Sequence, residues 1–305
     1  MYRWRPEWVE ETTGPVQVAS IVAMPWPGGG ELVVTQGNPC DLADPHPGLY
    51  LRRPDTPGEP PRWVATDLTP TPASWQEVPE WFGLPWTAVA PMGAGVNDYD
   101  GDGLFDLTLV LGMTYLGVLQ TTPDGGFVDQ SRRLAIPAGR VGPAHPYVEF
   151  AWSVAHPDLD LDGRQDLLLT IGDDFTSFTQ LHKDMQQQIY WNGGAWRFQD
   201  VTVATGLPIA GSFHGLFTDD LDSDRDIDLL YGGYGDPPRL IRNDIDVGRR
   251  GLVVKLRGTT SNHLGVGALV TASAEGVPAR TVWMGDAGNM DSRGAPRRRP
   301  PRAPR

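Results

Sequence analysis

Three short stretches of the chain carry aspartate at alternating positions and then once more. They hold Asp98, Asp100, Asp102 and Asp106, then Asp158, Asp160, Asp162 and Asp166, then Asp220, Asp222, Asp224 and Asp228. Four carboxylates this close repel one another unless they are solvated or share a cation. In a tight loop alternating positions point inward, so positions 1, 3, 5 and 9 can converge on one point. Gly103 and Gly163 at position 6 permit the sharp turn. A backbone carbonyl at position 7, from Leu104, Arg164 or Asp226, can add a ligand. An all-oxygen set of this size selects a hard ion and favours Ca²⁺ over Mg²⁺. Up to three Ca²⁺ ions are therefore expected. The third loop is the weakest, because Arg225 stands where glycine is expected. A non-glycine residue resists positive φ, and this one also brings a cation to the site, which Asp226 partly offsets.

An EF-hand begins in the same way but needs a glutamate at position 12 and flanking helices. Position 12 here is Leu109, Leu169 or Tyr231, each inside an apolar run closed by glycine. Such runs suit β-strands, so the acidic segments read as loops of β-hairpins. Their leading aspartates are 60 and 62 residues apart. Spacing of this kind marks a repeat architecture.

Other elements recur with the loops. WSVA (152–155) and WTAVA (86–90) are tryptophan-led strands ahead of two of them, and FHGLF (213–217) precedes the third. An aromatic–x–acid–x–hydroxyl element appears as FVDQS (127–131) and FQDVT (198–202). WVEET (8–12) and RWVATDLT (62–69) are weaker copies. Residues 18–38 keep the strand–loop–strand outline with one acid of the four: aligned on Leu32 and Leu107, Glu31 stands opposite Asp106 and the other acidic positions become Ala23, Pro25 and Pro27. This copy should keep its strands and lose the metal. The stretch 174–191 has helix-friendly composition and reads as an insertion.

A repeat of about 60 residues built from short strands is a propeller blade or a similar β repeat. The expected fold class is therefore all-β: a β-propeller of four recognisable blade repeats, closed as a four-bladed ring or part of a larger one, followed by a small β-rich domain. Residues 1–14 would supply a strand to a preceding or closing blade, and 15–250 the propeller repeats.

The acidic loops resemble the FG-GAP/VCBS repeats of integrin-α-like β-propellers, over roughly residues 15–250. The resemblance implies calcium in the inter-strand loops, an extracellular or periplasmic location, and binding or adhesion as the role. The Phe-Gly…Gly-Ala-Pro element of that family is not recognisable here. Residues 251–290 are similar to part of an ASPIC/UnbV domain, which often follows such repeats in secreted proteins. The similarity rests on Leu252, Val254, Leu256, Gly258, Ser261-Asn262, Gly265-Val266-Gly267-Ala268 and Val270. The alternation of Leu252, Val254 and Leu256 is a half-buried strand pattern.

Composition narrows the classes of function. The 305 residues include 38 acids and 25 bases, for a formal charge of -13. A nucleic-acid binder normally carries a basic surplus, so no nucleic-acid partner is expected. Six arginines lie in residues 293–305, an Arg/Pro-rich tail (291–305) that reads as disordered. Cys40 is the only cysteine, which excludes an intrachain disulfide and a cysteine-rich zinc site. No 18-residue apolar run offers a transmembrane helix, and MYRWRPEWVEE carries no signal-peptide core.

No catalytic motif is found. His46, His145, His156, His182, His214 and His263 form neither H-x-H nor H-E-x-x-H, and no G-x-S-x-G elbow or Walker loop occurs. His156 and His214 stand close to acidic loops, where a structural role is the plainer reading. The 11 tryptophans suit packing between blades better than sugar stacking. The expected function is a non-catalytic calcium-binding module with a protein or glycan ligand. The alternatives are a propeller-scaffolded hydrolase or lyase acting on polysaccharide or phospholipid, and a lectin-like sugar binder.

Overall fold

A computed structural model of the chain describes residues 16–39, 48–52, 63–65, 93–110, 116–137, 149–173, 185–206, 209–233, 235–245, 248–249, 251–260, 262–274 and 277–284. These form an all-β structure of antiparallel sheets. The first sheet contains β1 (Val16–Pro25), β2 (Glu31–Pro39), β3 (Gly48–Arg52) and β4 (Trp63–Ala65). The second contains β5 (Gly93–Asn97), β6 (Asp106–Val110), β7 (Gly117–Thr121) and β8 (Phe127–Asp129), followed by one helical turn, α1 (Ser131–Leu134). The third contains β9 (Glu149–Ala155), β10 (Leu167–Asp173), β11 (Gln188–Asn192) and β12 (Phe198–Asp200). The fourth has three strands, β13 (Phe213–Asp219), β14 (Asp228–Gly233) and β15 (Arg239–Ile241). A separate hairpin pairs β16 (Leu269–Ala274) with β17 (Val277–Trp283). Strand order follows sequence order in every sheet, so each is a meander built from local turns. Among the described residues no helix is long and apolar enough to cross a membrane.

The apolar runs are continuous because successive sheets cover each other. Side chains alternate between the two faces of a strand. On β6, Leu107 and Leu109 enter a core shared with Met24 and Leu32 of the first sheet, while Val110 enters one shared with Val154 and Leu169 of the third. On β10, Leu167, Leu169 and Ile171 face the second sheet, while Leu168 joins Phe213, Leu229 and Tyr231 of the fourth. A run such as LTLV or LLLTI thus has no solvent face. Burying each such leucine is worth about 1.5–3 kcal/mol, and three cores tie the four sheets into one stack. Trp152 is 1% exposed and stacks on His214 of the next sheet at 3.8 Å. The expected packing role is met at this tryptophan.

The structure alters three expectations. The degenerate copy keeps its hairpin, but Pro25 pairs with Glu31 where Asn97 pairs with Asp106. Its connection is Trp26–Gly30, three residues shorter than the acidic loop 98–105, so Ala23 and Pro25 lie in β1 and the copy has lost loop length as well as acids. Of the helix-friendly stretch 174–191, residues 188–191 form part of β11. The β-branched and aromatic residues of QIYW pack against β10 and override weak helix propensity. The alternation at Leu252, Val254 and Leu256 forms no strand: the segment has no ladder partner among the described residues, and Leu252 is 76% exposed. The glycine turn after it does form, with Asn262 Nδ2 donating to Val266 O and Val266 N to Asn262 Oδ1. WVEET, WTAVA, residues 174–184 of the insertion and the Arg/Pro tail lie outside the described residues.

Candidate metal centres

All three acidic loops connect the first and second strands of their sheets: β5 to β6, β9 to β10 and β13 to β14. They share one backbone shape. Position 4 has positive φ at Gly101 (78°), Leu161 (55°) and Ser223 (73°), and position 6 at Gly103 (87°), Gly163 (89°) and Arg225 (86°). The third loop therefore adopts the glycine conformation without glycine at either place. Strain of this kind costs on the order of 1–3 kcal/mol per residue. It is the physical content of the expected weakness at Arg225.

The carboxylates in turn hold the backbone. Asp98 Oδ1 accepts from Gly101 N (2.8 Å) and Asp102 N (3.1 Å), and its Oδ2 from Gly103 N (3.0 Å). Asp158 and Asp220 repeat this toward Gly163 and Ser223. The position-5 acids accept from the residue two ahead, Leu104, Arg164 or Asp226. These are the residues whose carbonyls are the expected backbone ligands.

Three oxygens in each loop come within 4.8 Å of one another: from Asp98, Asp100 and Asp106, from Asp158, Asp160 and Asp162, and from Asp220, Asp222 and Asp228. Two oxygens sharing one Ca²⁺ at about 2.3–2.6 Å can be no more than about 5 Å apart, so the donor sets fit that ion in both span and chemistry. Asp102, Asp166, Asp224 and Asp226 stand outside these groups. The fourth acid of each loop has a structural duty besides. Asp106 accepts from Tyr99 N (3.1 Å) and Thr121 N (2.9 Å), Asp166 from Leu159 N (3.0 Å) and Asn192 N (2.9 Å), and Asp228 from Leu221 N (2.8 Å) and Asn243 N (2.9 Å). Each carboxylate thus ties the start of its loop to the end of the third strand.

Burial sets the proton affinities. Desolvation raises the Asp106 carboxyl to about 8 and Asp166 to about 7, against backbone donors that favour the charged form. Asp98, Asp102 and Asp158 are also raised, with burial as the largest cause. A cation among these groups would reverse that balance.

Several residues at the sites carry no local sequence signal. Asp100 Oδ2 accepts from Gln120 Nε2 (2.7 Å) in its own sheet and from Trp196 Nε1 (3.1 Å) in the next. The second loop is surrounded by arginines. Arg280 on β17 reaches Asp158 Oδ2 (3.3 Å) and Gly163 O, Arg249 reaches Asp160 Oδ2 (2.9 Å), and Arg164 pairs with Asp162. Only Arg164 lies in the motif. Arg249 and Arg280 come from 89 and 122 residues beyond their partners, a distance no spacing rule covers.

His156 and His214 are buried between sheets. His156 meets Tyr99 edge-on at 5.4 Å and His214 lies flat on Trp152. Side chains at Gly95 and Gly172 would run into the two rings, so these glycines make room for histidine packing. No protein-family model matches the chain, and no curated protein matches it in sequence.

Proposed function

We propose that this chain is a non-catalytic, calcium-binding β-propeller module that serves extracellular binding or adhesion. The supporting observation is the recurrence of one acidic hairpin at one topological place in three successive sheets, each with three carboxylate oxygens close enough to share an ion. The four stacked sheets are the blades. Asp98, Asp100 and Asp106 would hold one ion, Asp158, Asp160 and Asp162 a second, and Asp220, Asp222 and Asp228 a third. Ca²⁺ supplies neutralising charge there, and the residues fix each loop to its sheet. Extracellular calcium modules bind at about 10⁻⁴–10⁻³ M, a range that exposed and strained loops such as the third suit.

Binding to the folded state alone adds to stability, by about 2.7 kcal/mol per site at a hundredfold excess over Kd. Thermal unfolding in millimolar Ca²⁺ and in chelator tests the reading. The melting temperature should rise with Ca²⁺ and fall with chelator. No calcium-dependent shift would sink the proposal.

One observation favours a glycan ligand. A cleft of about 580 Å³ is lined by Trp191, Trp196, Arg133 and Arg197, and aromatic faces beside guanidinium groups suit an acidic sugar. A glycan array including uronic-acid polymers, with no binding found, would count against it.

A further inference from the structure

The turn between β11 and β12 is held under strain. Gly194, Ala195 and Trp196 have φ of 78°, 51° and 60° in succession. Left-handed backbone at alanine and at a bulky aromatic costs on the order of 1–3 kcal/mol per residue and persists only where the surroundings impose it. Part of the closure is local: Gly193 N donates to Arg197 O (2.8 Å) and Arg197 N to Gly194 O (3.1 Å). The rest comes from the preceding sheet. Trp196 is 7% exposed, its ring lies 5.5 Å from that of Tyr99, and its Nε1 donates to Asp100 Oδ2 (3.1 Å). Tyr99 and Asp100 are positions 2 and 3 of the first acidic loop.

The same turn supplies Gly193, Trp196 and Arg197 to the cleft that also holds Trp191 and Arg133. Both cations of the cleft rest on its carbonyls: Arg133 Nη2 donates to Ala195 O (3.5 Å) and Arg197 Nε to Gly194 O (3.4 Å). Trp191, by contrast, stands on β11 with Arg164 over its ring at 5.8 Å. The place of both guanidinium groups therefore depends on the turn, and the turn depends on Asp100.

A link of this kind recurs one sheet further on. Asp160, position 3 of the second loop, accepts from Arg249 Nη1 (2.9 Å), a residue that follows the third strand of the fourth sheet as Trp196 follows that of the third. The two donors differ in charge. Arg249 sets a cation against its carboxylate and so competes with a metal. Trp196 donates without a charge, which orients Asp100 as a ligand and leaves room for the ion.

We propose, on the calcium and glycan readings above, that calcium in the first loop sets the affinity of this cleft for an acidic sugar, with Trp196 as the positioning residue between them. Two effects act in the same direction. A cation shared by Asp98, Asp100 and Asp106 fixes Asp100, and through it Trp196, the strained turn and the two arginines in one arrangement. The cation also offsets the charge of three carboxylates, one of which is bonded to the indole of the cleft wall. A sugar carboxylate across that indole feels this charge, because screening takes about 8 Å at physiological salt. The coupling is reciprocal: the sugar tightens calcium binding by the factor by which calcium tightens sugar binding.

Calorimetry on the full chain tests this, below the melting transition of both the calcium-bound and calcium-free forms. The probe is a hexasaccharide alternating glucuronic acid and N-acetylglucosamine. Calcium should tighten its binding by about fivefold or more over chelator, and saturating hexasaccharide should tighten calcium at one site by the same factor. Trp196→Phe keeps a ring and loses the Nε1 donor, so it should weaken calcium at the first loop by about tenfold and shrink the calcium effect on the sugar. Asp100→Asn should abolish that effect. Asp124→Asn, which removes an exposed acid outside the three groups, should retain it. Equal sugar affinity with calcium and with chelator, or a calcium effect that survives Asp100→Asn, overturns the coupling and leaves the glycan reading in place. No binding of the hexasaccharide in either condition overturns both.

Discussion

Asp228 accepts hydrogen bonds from Leu221 N and Asn243 N at 2.8 and 2.9 Å while also lying in the third acidic group. Asp222 in the same group is exposed and bonds within its own loop, accepting from Asp224 N. The two ligands therefore differ in what their loss costs. Without calcium, Asp228→Ala strands two N–H groups at about 1–3 kcal/mol each, so denaturant unfolding should show a loss of roughly 2–6 kcal/mol. Asp222→Ala should stay within about 0.5 kcal/mol yet remove the calcium response of that loop. Equal losses would contradict the double duty of the position-9 acid. Proton linkage follows from Asp106 and Asp166, raised to about 8 and about 7. Between the free carboxylate value near 4 and these values, the folded chain binds more protons than the unfolded chain. This contribution is full below about pH 4 and is lost as pH rises toward 8. Calcium-free melting temperatures should fall over that window, less so in Asp106→Asn. Calcium needs the ionised groups and expels the protons, so its stabilising effect should be larger at pH 8 than at pH 5. A calcium-free stability that rises from pH 5 to 8 in step with these groups would refute the assignment. The alternating acids and the glycine turn were legible from residue types alone. The choice of three acids per group was not: Asp102 and Asp224 fall outside the first and third groups but Asp166 outside the second, a difference that depends on how each loop folds.

At the scale of elements, the β16–β17 hairpin touches the second loop through Arg280, which spans Asp158 and the Gly163 carbonyl. A guanidinium among carboxylates occupies the electrostatic place of a bound cation. The pair is partly exposed, so it adds little stability of its own, but it competes directly with a metal. Arg280→Ala should raise the calcium affinity of the second loop several-fold, read by calorimetry. In the unaltered chain, calcium should speed hydrogen exchange across 269–283. An unchanged affinity would show that the arginine does not compete. Hairpins were the most legible elements, since a turn flanked by apolar runs is a local signal. The 252–256 alternation misled because periodicity describes a face and not a partner to cover it. The arginine contacts were invisible because they join parts of the chain brought together only by folding.

At the scale of the whole molecule, the sequence repeat announced an all-β chain of repeated short strands, and the antiparallel sheets agree with it. Three cores join the four sheets in chain order, which the sequence reading did not specify. The meander order within each sheet was legible because each repeat carries its own turn. What repetition alone does not encode is how one end of the stack meets the other. The position-9 aspartates also have a mechanical meaning. Each couples the mouth of a hairpin to the third strand, so a pull on β7, β11 or β15 loads a carboxylate clasp before it can peel the sheet. In the first sheet the equivalent position is Glu31, the first residue of β2. Under tension the second, third and fourth sheets are thus three fastened units in series, each yielding only when its carboxylate clasp opens.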